Sequence, residues 1–504
     1  MKTIMCAVLL FAVPWRPVFA QDSVGELARI LRDKGVITSS ELTAVESSPG
    51  QERVRLLASL LEAKGVLTSV EVARLQMNST NQVQTESASV VPAVYTPPPI
   101  ANASAEPQAP PNGRETATAA PPVTSQSRFP VTVYGNILLN SFFDTSLNNI
   151  EDVPLFAGKQ GSDPFPNDKS FGMTARQSRL GLRYQGPEVG GAAISGQVEV
   201  DFFGGKAALG NGINMDLPRL RLALGRLDWK NFSLVAGQDW SVFAPLNPTS
   251  LAEYAIPSMS ASGNPWIRSP QIRAEIRHAM SDAAKLQWQI AATDPDMGDY
   301  QTTQFLTTRS PGIGERGRMP GLDTRLGFTN TMNGRDFSVG VSGHYGRGED
   351  VGTIASLNVV RPVDSWGVAL DWSLPFTKYF ALTGEAYEGR ALGIFSVASG
   401  ESVGAVGTRG EHGVLSRGGW AQAQFNINPK WQVNLAYGID QPEASELPVG
   451  NRDRNQTYMG NLMYKLTSSV TFAWEFRRFL TDFRNQLFAD ERGDQANLAV
   501  LYSF

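Results

Sequence analysis

From Phe129 to Phe504 the chain consists of short segments in which apolar and polar residues take turns. Ile194, Val198, Val200 and Phe202 alternate with Ser195, Gln197, Glu199 and Asp201; Leu286, Trp288 and Ile290 alternate with Lys285, Gln287 and Gln289. A period of two sends successive side chains to opposite faces of an extended strand, so each segment has one apolar face and one wet face. Sixteen such segments can be counted, the first near Val131 and the last near Gln495. The last, ending in NLAVLYSF, puts Leu498, Val500, Tyr502 and Phe504 on one face and reads as a closing strand rather than a polar tail.

The connections decide the architecture. Tight turns such as GPEVGG, DWKN, TMNGRD and NPK alternate along the chain with long Gly-, Pro- and Asp-rich stretches, one of the latter lying between the segments that start near Phe337 and Trp366. Strict alternation puts every long loop at one end, which is the layout of a transmembrane barrel. No stretch after residue 20 is apolar enough for a helical span, and a closed barrel is the other way to satisfy every backbone group in lipid. The greasy faces are almost free of charge. Aromatics bracket aliphatics in Trp366, Val368, Leu370 and Trp372, and again in Trp431, Val433, Leu435 and Tyr437, as interfacial girdles do. Two places fit poorly: WAQAQFNI puts Trp420 with the polar set, and the first and fifth segments can be read in either parity. The expected fold is an all-β transmembrane barrel of about 16 antiparallel strands, carrying a small helical N-terminal extension.

Residues 1–20, with Lys2, an apolar run from Thr3 to Val13 and Val18-Phe19-Ala20 ahead of Gln21, have the layout of a secretory signal. The region 21–77 holds an internal repeat, LARILRDKGVITSSEL from Leu27 and LASLLEAKGVLTSVEV from Leu57. Each copy reads as a short helix stopped by Gly35 or Gly65, then a capping box, Thr38/Glu41 or Thr68/Glu71, that restarts helix. Its apolar stripes (Leu27, Ile30, Leu31; Leu57, Leu60, Leu61) are either a surface for packing between chains or the minor core of a helical spacer. Residues 78–128 shift to Pro, Ala, Ser and Thr without an apolar period and form a linker. The barrel occupies 129–504.

Composition removes several function classes. A net charge of −4 and a pI near 5.7 give no basic surplus for nucleic acid. The only cysteine, Cys6, lies in the signal, so neither a disulfide framework nor a thiolate metal site is expected in the mature chain. GIGERG (312–317) sits in a loop with no helix after it, which is the wrong context for a dinucleotide site. Asp294, Asp296 and Asp299 read as a solvated loop rather than a calcium site. His278, His344 and His412 lie on different segments, and no Ser/His/acid set converges in sequence. No cofactor, metal or catalytic residue is expected.

The wet faces carry the chemistry. Arginines recur on the second, fourth, sixth and eighth segments: Arg176, Arg179 and Arg183, then Arg219 and Arg221, then Arg273 and Arg277, then Arg325. These strands run in the same direction, so Arg179, Arg219, Arg221, Arg273 and Arg325 are expected at similar depth on one wall of a lumen. Glu199, Asp201, Glu275 and Asp323 project from the same wall. Two readings stand: a basic ladder that guides anions, or an ion-pair lattice that stiffens the wall. The longest connection, 241–270, holds Pro245, Pro248, Pro257, Pro265 and Pro270, and a loop of that length is usually functional. It is read as an inward constriction, with Tyr254, Ser258, Ser260 and Asn264 as neutral polar contacts, or as an external cap.

VTVYGNI, ARQSRLGLRY and AGQDWSVFAPLNPTSLAEY resemble motifs of the DcaP-like trimeric outer-membrane porins. The resemblance implies a homotrimer, a helical periplasmic extension, an arginine-rich eyelet that passes small organic anions, and a constriction at the loop after the fifth strand. Arg176, Arg179 and Gln238–Trp240, including Asp239, are the nearest matches to that pattern. It also implies that Tyr502 and Phe504 form the terminal signal read by the barrel-assembly machinery. The expected function is therefore a non-enzymatic diffusion channel in the outer membrane of a Gram-negative-type bacterium, with lipid around it and small anionic solutes passing through. The alternative is a structural protein tethered to the cell wall through residues 21–77.

Overall fold

A computed structural model of the chain describes residues 130–159, 169–205, 216–298, 311–332, 334–354, 357–484 and 490–504, and in the N-terminal region 28–29, 31–33, 36–48, 56–57, 59–61 and 64. The signal, the linker, Asp299 and the second cap at Thr68/Glu71 fall outside the described residues. The strand segments are β1 (Val131–Asp144), β2 (Ser170–Thr174), β3 (Arg179–Val189), β4 (Ala192–Asp201), β5 (Arg219–Asp228), β6 (Phe232–Trp240), β7 (Arg268–Ala279), β8 (Ala284–Thr293), β9 (Gly321–Met332), β10 (Arg335–Ile354), β11 (Leu357–Leu374), β12 (Phe380–Arg390), β13 (Leu415–Asn426), β14 (Trp431–Pro442), β15 (Arg452–Lys465), β16 (Val470–Phe483) and β17 (Asp490–Ser503).

From β3 to β17 each pairs antiparallel with the next in sequence, and β17 returns to β1 with Asn136 opposite Ser503 and Asp144 opposite Gln495. The sheet is closed. Both β2 and β3 pair with β1, against Asn140–Asp144 and Val131–Asn136 respectively, so they are two halves of one stave interrupted at 175–178. Seventeen segments thus make a barrel of sixteen staves.

The outer surface is greasy along the staves. Ile272 is 63% exposed and Val368 54%, and Ile137, Leu370, Leu435, Trp474 and Leu498 are exposed with them. In water such a belt would be costly; around a barrel it is the surface lipid covers. Rings mark the belt's edges: Trp431 against Tyr464 at 4.4 Å, Tyr437 against Tyr458 at 4.9 Å, and Phe376 stacked on Phe380 at 5.7 Å. Among the described residues no helix is long and apolar enough to cross a membrane.

The poorly fitting segments have a physical reason. Trp420 points inward, where its indole N–H donates to Glu385 Oε2 at 3.1 Å. On β1, Leu138 and Phe142 are buried while Ile137 and Phe143 are exposed, so both faces carry apolar residues and the period-two signal cancels. The expected long connection before Trp366 is not a loop. β10 and β11 continue as a paired ribbon to Ile354 opposite Leu357, braced by the ion pair of Asp350 with Arg361. The charged residues that suggested a loop are cross-strand partners there.

At the short-turn end, Gly190 and Gly191 take φ of +56° and +75°, the left-handed pair that a two-residue hairpin turn needs. GIGERG contains one helical turn, α2 (Ile313–Arg316), inside the motif, with the Glu315 carboxylate accepting from the Gly312 amide at 2.7 Å.

The N-terminal region is a separate unit. Helix α1 (Ser39–Ser47) starts at a capping box in which the Thr38 amide donates to Glu41 Oε2 at 2.6 Å. Glu41 also pairs with Lys64 of the second repeat at 3.1 Å, and the Thr38 amide with Lys64 holds its carboxyl below the usual carboxylate range. Ala28, Ile37, Leu42 and Val45 share one buried cluster with Leu57 and Leu61. The two repeats pack on each other within a single chain.

The barrel seam is tight. Gly135 and Phe504 exchange both backbone hydrogen bonds at 3.0 Å, and a Cβ on Gly135 would lie 2.5 Å from the Arg179 carbonyl oxygen and 2.9 Å from the Phe504 ring. Gly135→Val is expected to abolish the compact folded form that an unheated denaturing gel would resolve. Gly225→Ala, whose Cβ would meet only Tyr184 Oη at 3.6 Å, is the control and should leave that form intact.

Candidate functional site

The segment between β6 and β7 turns into the barrel and crosses it. Ser241 donates to Asp323 of β9 at 2.6 Å, the Ala244 amide to Ser342 of β10 at 3.1 Å, the Leu246 amide to Glu385 of β12 at 2.6 Å, and the Thr249 amide to Gln422 of β13 at 2.7 Å. Asn461 of β15 donates to the Thr249 carbonyl at 2.8 Å, and Ser250 donates to Glu475 of β16 at 2.8 Å. The chain then meets the break between β2 and β3. There Gln177 clasps it, giving its amide proton to the Ala252 carbonyl at 2.8 Å and accepting from the Tyr254 and Ala255 amides, both at 2.8 Å. Arg219 and Arg221 of β5 reach the Ala255 carbonyl at 2.8 and 3.2 Å. The loop is therefore inside the barrel, against staves on both sides.

Its return limb is held as firmly. Asn455 donates to the Ala261 carbonyl at 2.8 Å, and Ser262 shares a 2.7 Å hydrogen bond with Thr457. Gly263, at φ +94°, passes so near β13 and β14 that a Cβ would lie 2.3 Å from the carbonyl oxygens of Gly419 and Ile439. Only glycine fits that approach. Glu253 forms an ion pair with Arg477 of β16, with both side chains buried. Because irregular backbone away from water needs a partner for each polar group, the inward polar residues of the wall serve as those partners.

The wall arginines fall into separate groups rather than one ladder. In the first, Arg179, Asp201 and Arg219 stand directly opposite one another across β3, β4 and β5. Arg219 is bidentate on Asp201 at 2.6 and 3.1 Å, and Arg221 bridges Glu199 at 2.7 Å and Asp201 at 3.0 Å. Arg179 has no carboxylate partner among the described residues; it donates to the Tyr254 carbonyl and lies 3.5 Å from the centre of that ring. The second group surrounds Glu275, which takes Arg273 at 3.0 Å and Arg226 at 2.7 Å, while Arg273 also holds Asp239 at 2.7 Å.

The remaining expected residues lie elsewhere. Arg325 is bidentate on Asp371 of β11 at 2.6 and 2.9 Å, not on Asp323. Arg176 pairs with Asp152 and stacks 3.9 Å from the Phe203 ring centre. Arg183 lies over the Tyr134 ring at 4.2 Å, and Arg277, at the short-turn end, donates to the Trp229 and Phe232 carbonyls at 2.9 and 3.0 Å and reaches Glu275 from the edge of the second group at 3.5 Å. Ser258, Ser260 and Asn264, expected as polar contacts facing the pore, are buried and spent within the fold. Ser258 bonds Met459 Sδ at 3.4 Å, Ser260 the Pro257 carbonyl at 2.5 Å, and Asn264 the Ser258 carbonyl at 2.7 Å. A tight fold-back needs its hydroxyls and amides for its own backbone. Tyr254 is partly buried, its hydroxyl accepting from Asn136 at 3.1 Å.

Two residues escaped the sequence reading. Gln177 lies inside ARQSR, but its role depends on a stave break that alternation alone does not reveal. Arg268 opens β7 just past the loop. The β5–β6 ladder stops at Ala223 opposite Gln238, whereas β6–β7 continues to Trp240 opposite Arg268. Gln238 caps the opened edge by donating to the Leu220 and Arg221 carbonyls at 3.0 and 3.1 Å. Arg268 lies over the rings of Trp240 and Trp266 at 4.8 and 5.2 Å, close enough to Arg179, Arg219, Arg221 and Asp201 for their charges to act on it. It has no carboxylate partner among the described residues, and its Nη1 is buried without an acceptor. Around Asp201, four guanidinium groups (Arg179, Arg219, Arg221, Arg268) thus face two carboxylates (Glu199, Asp201). Among the described residues no cluster of three metal-ligating side chains occurs.

The fold and the crossing loop together define a porin-type architecture, a sixteen-stave barrel narrowed from within. No family profile and no curated protein matches the chain. Among solved structures it is similar to the outer membrane channel DcaP of Acinetobacter baumannii, with a TM-score of 0.55 and 19% identity over 76% of this chain and 99% of that one. An anion-selective porin from Comamonas acidovorans gives a TM-score of 0.46 and 14% identity over 75% and 100%, and OmpT of Vibrio cholerae gives 0.45 and 10% over 76% and 100%. The chain has the fold of the DcaP channel.

Burial sets the cost of breaking the first group. Arg221 is 2% exposed and Arg219 26%. Arg221→Met strips the buried Glu199 of its guanidinium partner while Asp201 keeps Arg219, and is expected to destabilise the barrel by about 3–5 kcal/mol, against about 1 kcal/mol for Arg219→Met. Thermal unfolding followed by circular dichroism in detergent measures both; equal losses would show that burial does not set the difference.

Proposed function

We propose that this protein is a passive diffusion channel of the bacterial outer membrane, a homotrimer that admits small hydrophilic solutes with preference for anions. The observation that carries the reading is the four-to-two excess of guanidinium over carboxylate around Asp201, beside the loop that crosses the lumen. A charged ring at a narrow point sets the sign of the ions that pass. Arg219, the most exposed of the paired arginines in that group, is the contact a passing anion meets, and Arg179 and Arg268 raise the local potential without carboxylates of their own to cancel them. The lattice reading also finds support: Arg221, Arg273 and Arg325 are all engaged by carboxylates and act chiefly to stiffen the wall. The apolar belt argues for a lipid surround, and the DcaP likeness in fold supports the outer membrane as its place.

In a planar bilayer under a potassium chloride gradient, the reversal potential is expected to report chloride preference. Arg179→Gln combined with Arg268→Gln should reduce the chloride-to-potassium permeability ratio several-fold while conductance persists. Cation preference in the native channel would sink the proposal.

A further inference from the structure

Toward the long-loop end, the outward wall of β13 to β17 turns from apolar to charged. Tyr437 of β14 and Tyr458 of β15 pair at 4.9 Å, and level with them Arg478 of β16 and Asp494 of β17 form an exposed bidentate ion pair at 2.7 and 2.9 Å. Four residues beyond the tyrosines stand Gln441 and Arg454, with Arg417 of β13 opposite Gln441 and Asp482 of β16 opposite Arg454. Their chain neighbours Ser416, Asp440, Asn455 and Thr481 are buried, and Asn455 reaches the crossing loop. Alternation therefore turns Arg417, Gln441, Arg454 and Asp482 outward. Four residues are about 13 Å along a tilted stave, which lifts this row out of the hydrocarbon and into the headgroup layer.

The row borders a groove of about 640 Å³ across the outer ends of β13 to β17. A bulge between Arg452 and Arg454 sets Asp453 out of the ladder and into the groove's lining. The groove is polarised. Its β13 end carries Arg417, which has no ion-pair or hydrogen-bond partner among the described residues; Glu388, opposite it on β12, is not within ion-pair reach. Glu443, at the end of β14, accepts from the Ser445 hydroxyl at 2.9 Å. Beyond the ion pair of Arg454 with Asp482, the far end carries Asp453 and Asp490. These lie two and four staves from β13, about 10 and 19 Å, farther than the screening length of about 8 Å. The acids at the far end therefore do not cancel Arg417.

We propose that this groove seats the phosphorylated saccharide headgroup of an outer-leaflet lipid, with phosphate on Arg417 and sugar hydroxyls on Asp453 and Asp490. The inference rests on the outer-membrane reading above. A guanidinium without a carboxylate of its own matches phosphate in charge and in fork geometry. Carboxylates accept from hydroxyls without needing a cation. A lipid is the source because the groove opens on the lipid side of the wall, so a solute in the lumen does not reach it. A second copy of the chain fits another part of the wall better: on β1 and β2 the facing Phe143 and Phe171 are 44% and 68% exposed, and the outward residues there are apolar.

Native mass spectrometry of the full chain in detergent tests this with three probes: a bisphosphorylated glucosamine-disaccharide lipid, the same lipid without its phosphates, and inorganic phosphate as competitor. The phosphorylated lipid is expected to be retained about tenfold more than the dephosphorylated one, and Arg417→Gln should remove that difference. Arg417 leaves no partner stranded, so the variant is expected to fold. Arg347→Gln, at an outward position of β10, is the control and should retain the lipid as the native chain does. Equal retention of the two lipids, unchanged retention in Arg417→Gln, or a matching loss in Arg347→Gln would each overturn the proposal. Displacement by an equal concentration of inorganic phosphate would mark a free-phosphate site, and dissociation of an oligomer in Arg417→Gln without loss of lipid would mark a chain contact; either result also overturns it. Conductance is read on the same preparations. A conducting channel that retains no lipid refutes this inference and leaves the channel reading standing, whereas phosphate-selective retention without conductance counts against the channel reading instead.

Discussion

A backbone amide or carbonyl removed from water must find a partner inside the protein, and this barrel meets that demand twice. Around the circumference the staves satisfy one another, down to the pair of hydrogen bonds between Gly135 and Phe504 that shuts the seam. Across the lumen the demand falls on a loop that has no neighbouring strand. Glu385, Gln422, Asn461 and Glu475 on the far wall, and Gln177 on the near one, take the place of that strand. The inward face is polar for two reasons at once: water must wet what stays open, and the loop must be tied where it crosses.

That double duty changes how the inner charges are read. A carboxylate such as Glu475 that accepts from Ser250 and Asn461 is an anchor, and Arg221 wedged between Glu199, Asp201 and the Ala255 carbonyl is another. Removing one partner of such a set leaves the other buried and uncompensated, so these positions tolerate change poorly whether or not a solute ever touches them. Under the channel function proposed above, selectivity comes from what remains after the structural pairing is complete. Around Asp201 the remainder is positive, and it is supplied by Arg179 and Arg268, which rest on aromatic faces instead of carboxylates. An arginine on an aromatic face stays in place while keeping its charge available.

The stave count, the alternation of short and long connections and the outward belt were legible in the sequence because lipid imposes a strict period of two. The parity of β1 was not, because Leu138, clustered with Leu251 of the loop, and the buried Phe142 are as apolar as the residues facing lipid. Trp420 misled for the same reason, being an inward residue satisfied by Glu385. The ribbon of β10 and β11 was hidden by its charges, which signal a loop only if their cross-strand partners are unknown. At the site, the arginine-bearing staves could be listed from sequence, but not their grouping. Grouping depends on register, and register here is altered by irregularities such as that between Glu199 and Val200 and by the early end of the β5–β6 ladder. Arg268 was missed because it sits at the first residue of a strand, where alternation carries no information about which way a side chain turns.

The break between β2 and β3 is the clearest case of a local defect with a purpose. A continuous stave would present its residues alternately to lipid and lumen and leave no backbone free to bend. Interrupting it at 175–178 lets four successive residues act inward or along the wall: Arg176 reaches Asp152, Gln177 grips the loop, Ser178 accepts from the Leu138 amide at 3.0 Å, and Arg179 reaches Tyr254. The ladder bonds lost are replaced by side chains, as in the Ser178 contact with β1, so the wall stays sealed while the loop gains its near-side anchor. An uninterrupted strand could supply at most every second one of these contacts, which is why the irregularity is better understood as part of the loop's seating than as a fault in the barrel.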